Sequence, residues 1–213
     1  MSEEPDHRAI ASWAFYDFAN TIFSMNVISL YFALWVIVDH GGQDILYSGA
    51  LSLSMIAVAV SAPIFGVISD QTGRRRFPLV YLTIISVFAT VFIGQTNQLW
   101  VGILLFIIAN YCYQSALVFY NGMLPNVARR SSIGIVSGYG VSLGYLGSIV
   151  GLLIVEPFVT NGGRSAAFLP TGILFLTFAI PCFIFVKDSK CCCCELRAAY
   201  SCRHDIISPA AKR

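Results

Sequence analysis

The sequence predicts an all-α membrane protein: six transmembrane helices with both termini on the cytoplasmic side. Three observations predict it. Of 213 residues, 57% are hydrophobic and 11% charged, and the mean hydropathy is +0.74, outside the range of soluble domains. The apolar residues fall into six runs, each near the roughly 20 residues that cross a hydrocarbon core about 30 Å thick. The basic residues gather on one side of those runs.

The runs are 12–38, 46–69, 77–95, 99–124, 135–155 and 167–186. Turn and charge signals separate them: Asp39 to Gly42, Asp70 to Arg76, Gln95 to Gln98, Pro125 to Ser132, and Glu156-Pro157 with Asn161-Gly162-Gly163. Each break is short, so sequential helices run antiparallel. With the N-terminus inside, the inner segments hold Arg8, Arg74, Arg75, Arg76, Arg129, Arg130, Lys187, Lys190, Arg197, Arg203, Lys212 and Arg213. Of the 13 basic residues, Arg164 alone is left outside. The domain reading is a cytoplasmic N-terminus over 1–11, a transmembrane domain over 12–186 and a Cys-rich cytoplasmic tail over 187–213, expected to be disordered. Glu3, Glu4 and Asp6 make the start acidic, unlike a cleaved secretory signal.

The first span carries "SWAFYDFANTIFSMN". Asp17, Asn20 and Ser24 share one helical face, expected to point inward while the phenylalanines face lipid. Trp13 and Tyr16 fit an interfacial aromatic belt. An ionisable residue inside a span is expensive, so Asp17 is read as a pathway or gating group; Asn20 fits either that role or an interhelical hydrogen bond.

Between the second and third spans lies "GVISDQTGRRRFPL". Asp70 ends a helix, where the macrodipole disfavours an anion unless a cation compensates. Gly73 permits a tight turn, Pro78 suits a first helical turn, and Gly66 lets a neighbouring backbone come close. In the fourth span, Asn110, Gln114 and Asn121 fall within about 40° of one another on a helical wheel, a stripe of amides suited to a polar solute. Tyr113 and Tyr120 lie beside it. In the fifth, "GIVSGYGVSLGYLGSIVG" sets Gly134, Gly138, Gly140, Gly144, Gly147 and Gly151 in small-xxx-small pairs, a surface for close helix packing and flexing.

Gly66-x-x-x-Asp70-x-x-Gly73-Arg74-Arg75 resembles the signature loop of the major facilitator superfamily. The resemblance implies that the aspartate and arginines latch an inner gate between two transporter halves. The superfamily usually has Arg or Lys directly after the aspartate; this chain has Gln71. With "SWAFYDFAN", "FYNGMLPNVA" and "GYGVSLGYLG", the chain resembles the vacuole-effluxer, autophagy-related branch over about residues 11 to 187. That implies efflux of a small polar solute by alternating access, amino acids in the vacuolar members. It also implies one six-helix half of the fold, completed by a second half or a second copy.

Membrane lipid and a small solute, with a proton coupled at Asp17, are the expected partners; no nucleic acid, cofactor or metal is expected. The plasma membrane is the expected location, a vacuolar membrane the alternative. An enzyme is not expected, because His7, His40 and His204 lie outside the spans and Asp17 has no partner acid within one. The remaining alternative is a non-transporting half acting as an assembly module. For the tail, palmitoylation of Cys191 to Cys194, metal binding with Cys202 and His204, and a shifted or truncated reading frame stand open.

Overall fold

The computed structural model describes residues 7–128, 131–186 and 188. Arg129, Arg130, Lys187 and the cysteines of the tail lie outside the described residues. Six helices long and apolar enough to cross a membrane follow one another: α1 His7–Asp39, α2 Asp44–Thr72, α3 Arg76–Gln95, α4 Leu99–Val127, α5 Ile133–Gly162 and α6 Arg164–Phe185. In hydrocarbon every backbone amide needs an internal partner, and a helix supplies them all within the segment.

Two boundaries differ from the sequence reading for one reason. α4 runs through Pro125 and α5 through Pro157, so neither proline ends its helix. Proline removes one donor, and a packed membrane helix tolerates that where the chain's own break signals do not force a turn. Glu156, assigned to a break, therefore sits inside α5, exposed. By contrast Gly73 caps α2 in the left-handed conformation at φ +66°, and Pro78 falls in the first turn of α3, as the sequence indicates.

The packing has an internal symmetry. α1 packs on α5 and α6, α4 packs on α2 and α3, and α3 meets α6. Exchanging α1–α3 for α4–α6 maps this pattern onto itself, and the two triplets enter the membrane from opposite sides, as in inverted-repeat transporters. The centre, where α1 and α4 approach, is aromatic. Phe32 stacks on Phe106 at 3.9 Å between ring centroids, Phe23 on Tyr113 at 4.6 Å, and Trp13 on Tyr120 at 4.6 Å.

Those stacks overturn the aromatic-belt reading of Trp13 and Tyr16. Trp13 is only 3% exposed; its indole N–H donates to the Tyr120 carbonyl at 3.3 Å, and the Tyr120 hydroxyl donates to the Trp13 carbonyl at 3.1 Å. Tyr16 is fully buried and shares a 2.9 Å bond with the Thr83 hydroxyl. A buried ring whose polar tip finds a partner is worth more here than an interfacial position. Phe18 and Phe23 are buried as well, leaving Phe15 of the early α1 phenylalanines exposed. α1 is the central helix, so most of its faces meet protein.

The two triplets differ in what they leave uncovered. α2 buries only Ala50, Ser54 and Ser69, and presents Leu53, Ile56, Val60, Ile64 and Val67 outward.

Candidate functional site

Each of the four motifs singled out in the sequence meets another. "SWAFYDFAN" of α1 lies against the glycines of α5, and the 66–76 loop lies against "FYNGMLPNVA" of α4.

In the first pairing, the glycines exist because α1 leaves no room for side chains. A Cβ on Gly140 would lie 2.7 Å from the Trp13 ring, one on Gly144 2.8 Å from the Thr21 hydroxyl, and one on Gly151 2.9 Å from Ile22. At Gly147 it would overlap the Phe18 carbonyl oxygen. Gly134 and Gly138, from the same run, face open space. Four of the six glycines thus pack within the six-helix unit.

Asp17 is half-buried in this seam, its Oδ2 3.3 Å from the Cβ position of Gly144 and 3.5 Å from that of Gly140. Among the described residues its carboxylate has no recorded hydrogen bond or ion pair. The Thr21 hydroxyl donates to the Asp17 backbone carbonyl at 2.9 Å, not to the carboxylate.

The amides divide. Asn20 is buried, with its side-chain oxygen unpartnered and its backbone carbonyl accepting a 3.4 Å bond from Tyr113. Asn110 donates to the Ser54 hydroxyl at 2.7 Å and so ties α4 to α2, its own oxygen unpartnered. Gln114 is half-buried and Asn121 exposed. The wheel puts the three α4 amides on one side, but they meet three different surroundings.

In the second pairing Arg75 is the hub. Its Nε donates to the Ser69 hydroxyl at 2.8 Å, one terminal nitrogen pairs with Asp70 at 2.7 Å, and the other donates to the Gly122 carbonyl of α4. A Cβ on Gly122 would lie 3.3 Å from the guanidinium Nε, so the glycine makes the arginine's seat. The compensating cation for Asp70 comes from its own loop, and the Asp70 side chain remains 76% exposed. Arg74 is exposed and Gly66 has nothing near its Cβ position. The outer face of the loop is open.

Sequence reasoning missed several groups. Asp188 accepts the backbone N–H of Arg75 at 2.8 Å and of Arg76 at 2.7 Å, capping α3 from beyond the end of α6. Capping links 112 and 113 residues apart leave no local signal. Replacing Asp188 with Ala is expected to destabilise the unit by about 0.5–2 kcal/mol in a denaturant titration, while Asp188→Asn keeps most of it. Asn26 is fully buried with neither amide atom bonded; a lone amide in an apolar span was the available signal. It lies in a π-helical stretch, Ser24–Tyr31, of a kind often found at functional sites.

Residues 45–135 match the family model described as "Vacuole effluxer Atg22 like". The chain is 28% identical over 152 residues to the uncharacterized MFS-type transporter YxiO of Bacillus subtilis (strain 168), covering 67% of this chain and 36% of YxiO. The chain is thus similar to transporters of the major facilitator type. An uncharacterized protein of Aquifex aeolicus (strain VF5) is 28% identical over 183 residues, 84% of this chain and 46% of that protein. The high affinity nitrate transporter 2.7 of Arabidopsis thaliana is 31% identical over 142 residues, 63% of this chain and 28% of that protein. The chain thus spans less than half the length of these relatives. No solved structure matches it. Its six membrane-length helices, with no strand among the described residues, are consistent with one half of a major facilitator fold.

Proposed function

We propose that this chain is one half of a secondary active transporter that moves a small polar solute by alternating access, with Asp17 as its proton-coupling carboxylate. The observation that carries the reading is Asp17 itself: a carboxyl in a membrane-spanning helix, without a recorded partner among the described residues, pressed against a seam of glycines. A charge there is costly and a neutral acid is not, so taking up or losing a proton changes how closely α1 and α5 can pack. Glycine lets that packing change without moving side chains.

Amino acids are the proposed solutes, on the resemblance to vacuole effluxers. Asn20, Gln114 and Asn121 are proposed to line the path, Asn20 through its unpartnered oxygen and the other two from less buried positions. The Asp70, Gly73, Arg74 and Arg75 loop is proposed as the inner gate, with its open face toward the second half. Both termini are proposed to lie in the cytoplasm, in the plasma membrane or a vacuolar one. The second wall of the path comes from another six-helix half or a second copy, for which the uncovered side of α2 is the proposed seat.

The test is solute-driven proton movement in proteoliposomes made with the purified chain, read by a trapped pH dye as a mixture of radiolabelled amino acids is added. Proton movement matched by label uptake, with both lost in Asp17→Asn, supports the reading. Uptake in Asp17→Asn with unchanged pH dependence removes Asp17 from the coupling. Uptake absent from the chain alone and restored when a second six-helix half is supplied also supports it, whereas absence of uptake even with that half favours the assembly-module reading.

A further inference from the structure

At the end of the molecule remote from Arg75, α5 and α6 separate and leave a crevice of about 530 Å³, with the last residues of α3 at its edge. We propose that this crevice binds one membrane phospholipid, its acyl chain lying between α5 and α6 and its phosphate at Arg164.

The volume lies within the roughly 300–1,000 Å³ of ordinary ligand pockets. The shape is elongated: from Gly162 to Ile154 the α5 wall descends about 12 Å at a helical rise of 1.5 Å per residue, and α6 runs alongside from Ser165 to Leu174. The chemistry is zoned along that length. Gln95 and Ser165 sit at the helix-end rim, and the depth is Ile154, Phe158, Leu169 and Ile173. That is a phospholipid's order of polarity.

A charged pair lies one residue from the rim, outside the lining itself. Arg164 immediately precedes Ser165; it pairs with Asp39 of α1, and the two side chains keep 33% and 27% of their surface in the open. An arginine fork is suited to a phosphate, and the neighbouring carboxylate suits the cationic part of a zwitterionic headgroup. Among the described residues the other arginines lie at or near the opposite end of the helices: Arg8, Arg74, Arg75 and Arg76.

The crevice is separate from the seat proposed for a second half, since no residue of α2 lines it. On α5, Ile154, Phe158 and Gly162 point about 150° around the helix from Gly138 and Tyr145, which face open space. It is also separate from Asp17, whose neighbour Gly144 is about 15 Å along α5 from Ile154. Its occupancy can therefore be tested whatever the solute proves to be.

Trp35 is the built-in reporter: it is buried, and its indole N–H donates to the Ser165 hydroxyl at 3.1 Å, behind the rim. In a Trp100→Phe chain, which removes the most lipid-exposed indole, phosphatidylcholine brominated near the headgroup end of its acyl chain is titrated into the detergent-solubilised protein. The expected result is saturable quenching at about one lipid per chain, absent from a matched Trp35→Phe chain. Ala166→Phe, which fills the crevice where α5 and α6 approach, is expected to abolish it. Arg164→Gln is expected to weaken it by about tenfold, equivalent to about 1.4 kcal/mol, with Arg164→Lys recovering most of the loss. The Arg164 variants leave the crevice walls intact, so they read the headgroup site even where Ala166→Phe does not fold. Quenching that rises linearly with bulk lipid in every variant would overturn the proposal. So would equal quenching by a brominated fatty acid lacking phosphate.

Discussion

Gly147→Leu is expected to abolish the folded six-helix unit. A Cβ at 147 overlaps the backbone oxygen of Phe18, so the intruding atom cannot be relieved by rotating a side chain. Overpacking typically costs about 1–3 kcal/mol where neighbours can shift, and the cost is larger where they are backbone. α1 and α5 must separate, and with them goes the contact that holds Asp17 in place. The measurement is recovery of monodisperse protein in mild detergent and its thermal midpoint. Gly138→Leu, one of the same glycine run but with nothing within 4 Å, is the control, expected to change stability by no more than about 0.5 kcal/mol.

Arg75 carries the second large effect. Arg75→Gln removes bonds to the Ser69 hydroxyl, the Asp70 carboxylate and the Gly122 carbonyl, and with them the link between the loop and α4. The Asp70 pair is solvent-exposed and contributes little. The part-buried bonds to Ser69 and Gly122 come from a charged donor, so the expected loss is about 2–3 kcal/mol in a denaturant titration. Arg75→Lys is expected to recover less than half of it, since one ammonium cannot span three acceptors set for a planar fork. Asp70→Asn is expected to leave stability nearly unchanged. If Asp70 serves as a gate, its effect appears in transport alone.

The number and approximate extent of the helices were legible in the sequence because a membrane span is a one-dimensional signal: length and hydropathy suffice. Gly73 and Pro78 were legible because their roles depend on local backbone geometry. Pro125 and Pro157 misled for the same reason, since each reads locally as a break although its helix continues through it. The destination of each motif was not local at all. Nothing in "FYNGMLPNVA" says that its glycine seats an arginine 47 residues earlier, and nothing in the α5 glycines says that their partner is α1. The glycine spacing gave close packing; only the fold gave the partner. Asp17 was legible as an unusual group by its charge in an apolar run, whereas its unpartnered state depends on what α5 and α4 bring beside it. The exchange symmetry of α1–α3 with α4–α6 lives in contacts, and the sequence carries no repeat to announce it.

If the charge on Asp17 sets the packing of the glycine seam between α1 and α5, as proposed, the seam responds to pH. The direct measurement is the distance between spin labels at Ala11 of α1 and Tyr139 of α5, both exposed, in lipid nanodiscs at about pH 5 and about pH 8. The account predicts a short, narrow distribution at the lower pH, where a neutral Asp17 lets the seam close, and a longer or broader one at the higher pH. In Asp17→Asn the short distribution should persist at both. A distribution in the unaltered chain that is the same at both pH values, or a shift that survives in Asp17→Asn, would contradict it.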